Sequence, residues 1–242
     1  MKISSFIRDP TILFTIGCLS VAPVLTAIGS PATAGPKIVE YLTDPALLAG
    51  LALFLGTLLA VGRWGKNMDA GTTRVALWYL VNGAFIHVTM DGLTGGWHFL
   101  GLLNQHYCRL DRRFLEDESV SWMITQIELF IMAPLCMLTY RAIVRQSPLR
   151  YPLEIATSLC QMWGAVIFFG SEILNKFPNV PVDSQFLFTF DHCLYFWFGF
   201  GANLIWVVIP LFFILRSFFE LANAANAGRR AVAPTSPPKK RQ

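Results

Sequence analysis

Apolar residues fall in long blocks along this chain, and charge falls between them. Uncharged runs occupy 10–36, 45–62, 75–90, 155–171 and 192–215, and 119–140 carries only Glu128. A bilayer-spanning helix needs about 20 mostly apolar residues. The pattern therefore predicts six spans, at 11–29, 45–62, 75–93, 119–140, 154–174 and 193–215. The fold class it predicts is all-α, a polytopic membrane helix bundle. Residues 1–44 read as a hydrophobic segment and loop, 45–220 as the bundle, and 221–242 as a basic tail rich in Ala and Pro, expected to be disordered.

Composition sharpens this picture. Only 14% of the residues are charged, against about 25% in soluble domains. The five cysteines form no C-x-x-C pair, and they read as small buried hydrophobes. No phosphate loop, nucleophile elbow or zinc spacing occurs, so no cofactor or metal is expected. The net charge of +4 resides at helix ends, which excludes a nucleic-acid partner.

Charge also orders the spans. Lys2 and Arg8, then Arg63, Lys66 and Arg74, then Arg141, Arg145 and Arg150, and finally the Lys/Arg-rich tail form positive clusters at every second crossing. The positive-inside rule then predicts both termini in the cytosol. The start of the chain, with ATAG at 32–35, can also be read as a signal peptide with a cleavage site. The terminal KKRQ resembles a di-lysine signal for the endoplasmic reticulum membrane.

Few polar groups interrupt the spans: His87, Asp91, Glu128, Gln161, Glu172 and Asn203. Charge at bilayer depth is costly and marks work done inside the bundle. His87 and Asp91 are four apart and share a helical face. Glu128 lies on the next, antiparallel helix and can reach the depth of His87, with Thr125 on its own face. Such a carboxyl either pairs with His87 or stays protonated. Phe196, Gly199, Asn203 and Trp206 form one stripe in the last span. Glu172 is near a helix end, where it is either solvated or near a ligand. Each of these residues also has a structural reading, as a helix-joining pair or as packing. One deep histidine with scattered carboxylates fits a zinc site poorly.

The stretches FIHVTMDG, MAPLCMLTYRAIVRQSPLRYPLEIATSLCQMWG and CLYFWFGFGANLIWVVIP together resemble the emopamil-binding protein family, which shares the EXPERA domain and includes sterol Δ8–Δ7 isomerases. The likeness spans about 72–215. It implies five family helices plus one extra N-terminal helix. It matches His87, Asn203 and Trp206 to family site residues. Asp91 stands where the family usually has glutamate. Thr125 falls on the family's second catalytic glutamate, with Glu128 one turn further on.

The resemblance implies an enzyme that shifts a double bond in a sterol- or terpenoid-like lipid through a carbocation. Glu128 and Asp91 are then acid and base, in an order left open. His87 positions or relays the proton, Trp206 stabilises the cation, and Asn203 orients Trp206 or a substrate hydroxyl. Thr125, Gln161, Glu172, Phe196 and Gly199 are expected to meet the substrate. A specialised natural-product isomerase or cyclase, a lipid binder without catalysis, and a transporter are the competing readings. The expected partners are the lipid substrate and the membrane, and a homodimer is compatible with all of these.

Overall fold

The computed structural model describes residues 24, 31–64, 68–115, 118–176, 178 and 201–232, and these are helical without a strand. Most of the span expected at 11–29 lies outside the described residues, as do 193–200, with Phe196 and Gly199, and the KKRQ end.

Helix α1 (Pro31–Thr43) occupies a stretch expected to be a loop. Pro31 is its first residue, where a missing N–H costs nothing. Asp44 then starts α2 (Pro45–Trp64) by accepting from the backbone N–H groups of Ala46 and Leu47. Asp69 caps α3 (Ala70–Leu80) in the same way through the Thr72 N–H. This helix runs on without a break as a π-helical segment, Val81–Gly96. The connection that follows, also expected to be a loop, contains α4 (Gly101–Leu110) and a 3-10 turn, Arg112–Phe114.

The next rod consists of α5 (Ser119–Ile127), a π turn (Glu128–Met132) and α6 (Ala133–Val144). Pro134 lacks the N–H that an α-helix would use at that point, and the helix widens into the π turn just ahead of it. Helix α7 is Arg150–Leu174, and a 3-10 turn, Gly201–Leu204, leads into α8 (Ile205–Val232). The last helix continues well past the expected boundary at 220. Its extension, LANAANAGRRAV, is rich in alanine, the strongest helix former.

Among the described residues, three rods are long and apolar enough to cross a membrane: Ser119–Val144, Arg150–Leu174 and Ile205–Arg229. A shorter apolar helix covers Pro45–Gly56. Their outer faces present side chains such as Phe130, Trp163, Val208 and Phe212, as lipid contact requires. The buried faces are unusually polar. Thr139 on α6 shares a 2.8 Å hydroxyl hydrogen bond with Thr157 on α7, and Tyr79 on α3 shares another of 2.8 Å with Ser158 on α7. With no hydrophobic drive between helices in lipid, such small polar residues serve as the adhesive.

One buried ion pair ties α7 to α8. Arg216 Nη2 donates to Glu154 Oε2 at 2.5 Å, and Ser217 Oγ donates to the same oxygen at 2.8 Å. Glu154 is fully buried. Removing one partner of such a pair leaves a stranded charge, which costs about 3 kcal/mol or more, whereas replacing both by apolar groups is often neutral. Arg216→Met should therefore lower the unfolding temperature in detergent, and Glu154→Met on top of it should restore most of the loss. If the double variant is no more stable than Arg216→Met, the loss does not come from a stranded Glu154 charge.

Candidate active site

The π segment after α3 approaches its neighbours closely, and two glycines permit this. A Cβ on Gly92 would sit 2.7 Å from Leu129 Cδ1, and one on Gly95 would sit 2.6 Å from Tyr107 Cε1. Only glycine leaves room for either approach. The result is that the end of the α3 rod, the π turn at Glu128 and helix α4 converge on one point.

His87 and Asp91 meet there. His87 Nδ1 lies 3.1 Å from Asp91 Oδ2, and both residues are buried. Tyr107 Oη donates to the other carboxylate oxygen, Asp91 Oδ1, at 2.5 Å. Burial, and then the Asp91 charge, push the Tyr107 phenol well above its ordinary range, so it remains a donor. Glu128 stands on the opposite side. One ligand atom each from His87, Asp91 and Glu128 lie within 4.8 Å of one another. The imidazole pairs with Asp91 rather than with Glu128. On its far side, Gln161 Nε2 lies 3.3 Å from His87 Nε2. Gln161, on α7, is buried and so joins the cluster.

These three groups are clustered, where the sequence pattern suggested scattered carboxylates. Their donor set nevertheless suits a proton better than a cation. Both imidazole nitrogens are occupied, one by Asp91 and one by the Gln161 amide. A metal-bound histidine needs one of them as a free lone pair.

Trp206, at the start of α8, borders the same region. Its indole N–H donates to Asn82 Oδ1 at 2.6 Å. Asn82 thus accepts from Trp206, for which the sequence had offered Asn203 as an orienting partner, or as a partner of a substrate hydroxyl. Asn203 itself is half-buried in the 3-10 turn ahead of α8. The Trp206 ring lies 6.2 Å from that of Trp78, centroid to centroid, tilted by 47°. Trp78 donates its indole N–H to Gln161 Oε1 at 3.2 Å.

Sequence reasoning missed Asn82, Trp78 and Tyr107. Asn82 was visible as a lone amide in an apolar run. Tyr107 lay in an apparent loop and carried no signal of its own.

Two of the expected substrate residues are placed elsewhere. Thr125 is buried against Gly96, and its hydroxyl donates to the Trp122 carbonyl at 2.8 Å. Glu172 is neither solvated nor part of the His87 cluster. It is buried in an ion pair with Arg113 Nε at 3.4 Å. Arg113 also pairs with Asp111 through Nε and Nη2, and donates to Ser171 Oγ at 2.6 Å. This clamp holds the α4 connection, which carries Tyr107, against the end of α7.

Comparison with known proteins follows the same residues. Residues 99–217 match the family model described as EXPERA (EXPanded EBP superfamily). That stretch contains Glu128, Gln161 and Trp206, while His87 and Asp91 precede it. The chain is 30% identical over 186 residues to a 3-beta-hydroxysteroid-Delta(8),Delta(7)-isomerase of Cavia porcellus, covering 69% of this chain and 78% of the relative. It is 28% identical over 195 residues to the protein of the same name from Rattus norvegicus, covering 74% and 81%. An isomeliandiol synthase of Ailanthus altissima is 25% identical over 176 residues, covering 66% and 77%. A membrane bundle of this architecture, with relatives of this extent and identity, belongs to the EXPERA (EXPanded EBP superfamily) family.

Proposed function

We propose that this protein is an integral-membrane isomerase that moves a double bond in a sterol- or terpenoid-like polycyclic lipid. The observation that carries this reading is the convergence of His87, Asp91 and Glu128 within 4.8 Å inside an apolar bundle, linked to the Trp206 indole through Gln161 and Trp78. Relatives named as 3-beta-hydroxysteroid-Delta(8),Delta(7)-isomerases and as an isomeliandiol synthase support the substrate class. They favour catalysis over lipid binding alone.

The chemistry needs no redox step. A carboxylic acid gives its proton to one alkene carbon, and the adjacent carbon becomes a cation. A carboxylate then takes a proton from a neighbouring carbon, and that C–H electron pair becomes the new double bond. Donors from His87 and Tyr107 converge on Asp91, which suits the proton acceptor. Glu128, across the cluster, is then the proton donor. Exchange with solvent between turnovers returns a proton to Glu128 and removes one from Asp91, while His87 holds Asp91 in place. The Trp206 π face and the carboxylates stabilise the cation, more strongly where water is excluded.

Turnover in heavy water should leave one solvent deuterium at the carbon that Glu128 protonates, read by mass spectrometry of the lipid product. A product free of solvent label points instead to a hydride shift or an internally recycled proton.

Glu128 carries the assignment most distinctive of this chain, because Thr125 has no carboxyl to offer. Glu128→Gln should insert and fold, yet lose about 100-fold or more in turnover, the low end for an acid–base group. Thr125→Glu with Glu128→Thr should recover little of that loss, because position 125 is closed in against Gly96. Full activity in Glu128→Gln would reduce Glu128 to a bystander and return the acid–base chemistry to His87 and Asp91.

The same reading assigns the protein to the endoplasmic reticulum membrane with both termini cytosolic. The alternation of basic clusters and the terminal KKRQ support it. Lys239→Ser with Lys240→Ser should let part of the protein leave that compartment, as seen by imaging a tagged chain. An unchanged distribution would make KKRQ an ordinary basic end.

A further inference from the structure

We propose that Trp78 is the positioning residue of this site: its indole N–H fixes the Gln161 amide as a donor to His87 Nε2, and its backbone carbonyl sets the orientation of Trp206 through Asn82. This rests on the reading of His87 and Asp91 as the proton-handling pair, but the geometry can be tested without any substrate.

The argument is one of donors and acceptors. An indole N–H can only donate. Trp78 Nε1 is 3.2 Å from the Gln161 amide, so the end of the amide facing it must be the oxygen. The other end, the NH₂, then faces His87 Nε2 at 3.3 Å. An NH₂ group can only donate, so His87 Nε2 accepts. The neutral imidazole therefore carries its proton on Nδ1, and that N–H points at Asp91 Oδ2, 3.1 Å away. Turning the Gln161 amide over would set donor against donor at Trp78. Gln161 and His87 are both buried, so water offers no easy substitute partner.

The second arm has the same logic. Asn82 Nδ2 donates to the Trp78 carbonyl at 2.8 Å. That leaves Asn82 Oδ1 to accept from Trp206 Nε1 at 2.6 Å. Asn82 is 2% exposed, and flipping its amide would break both bonds. One residue on α3 thus sits between the acid–base half of the site and its cation-facing half. Trp78 touches neither reacting carbon nor proton in this scheme. It acts through Gln161 and Asn82.

The two arms separate experimentally. Trp78→Phe removes the indole N–H but keeps the backbone carbonyl, so it should disturb His87 and spare the Asn82–Trp206 bond. Asn82→Leu should do the reverse. The full-length protein, labelled with ¹⁵N-histidine in nanodiscs, reports the His87 tautomer, with assignment by the signal lost in His87→Asn. We expect the protonated-Nδ1 signature in both proteins, since Asp91 accepts from Nδ1 in each, and a displaced Nε2 resonance in Trp78→Phe as the Gln161 donor is released. With ¹⁵N-tryptophan labelling, the Trp206 indole N–H should keep its protection from solvent exchange in Trp78→Phe, and should both shift and lose protection in Asn82→Leu.

Benzothienylalanine at position 78 keeps the shape of tryptophan and replaces N–H by sulfur, so it gives the same test if Trp78→Phe does not fold. In turnover, Trp78→Phe should lower kcat by about 10-fold with KM little changed, a smaller loss than removal of an acid–base group. A His87 Nε2 resonance unmoved in the position-78 variant, or a Trp206 indole N–H unmoved and still protected in Asn82→Leu, would overturn the proposal. If the spectra change as expected but no lipid is isomerised, the positioning circuit stands and the reading of the function falls.

Discussion

A carboxylate buried at the end of a membrane helix persists only where other groups satisfy it, and Asp91 is satisfied from two elements. His87 reaches it from one turn back on the same rod, and Tyr107 reaches it from α4, at 2.5 Å. The second bond constrains everything around it. Helix α4 has to lie against the π segment, which only a glycine at position 95 allows. The α4 connection has to be held there from both sides. His106 beside Tyr107 pairs with Asp44 at the start of α2, at 3.1 Å, and Arg113 pairs with Glu172 on α7. What looks in the sequence like a charged loop is the fastening that completes the site.

The long π segment suits the same purpose. In this register the backbone pairs five residues apart, and side chains follow: Thr89 donates to the Ala84 carbonyl and Thr94 to the Thr89 carbonyl. Hydroxyls bonded back to the helix keep it satisfied in an apolar setting while its other face carries the reactive groups. A second π turn begins at Glu128 itself. Both carboxylates of the site thus lie in widened helix, in keeping with the tendency of π turns to occur at functional positions.

Thr125 and Glu128 show how neighbours decide which residue of a turn faces the His87 cluster. Thr125 is closed in against Gly96 and hydrogen-bonds its own helix. Glu128, one turn on, faces His87 and Asp91. A carboxyl moved by a turn remains useful because His87 and Asp91 are themselves a turn apart in depth and offer proton partners at either level. Gln161, Trp78, Asn82 and Trp206 then set the angles of the groups that Glu128 meets.

The amino-acid pattern alone determined the class of molecule. Runs of about 20 uncharged residues have no stable home except a bilayer or a very large core. It also identified His87, Asp91, Glu128, Gln161 and Trp206, because polar or amphipathic side chains in such runs are few. These inferences depend on composition along a single helix, which sequence displays directly. Tertiary structure alone decided which of them meet. Glu172 pairs with Arg113, Asn82 accepts from Trp206, and much of the apparent loop at 92–118 is helical. Each of those outcomes turns on a partner distant in sequence, such as Arg113 for Glu172 or Trp206 for Asn82. Hydrogen bonds of that kind have no periodicity to read, since they depend only on how closely the rods are able to pack.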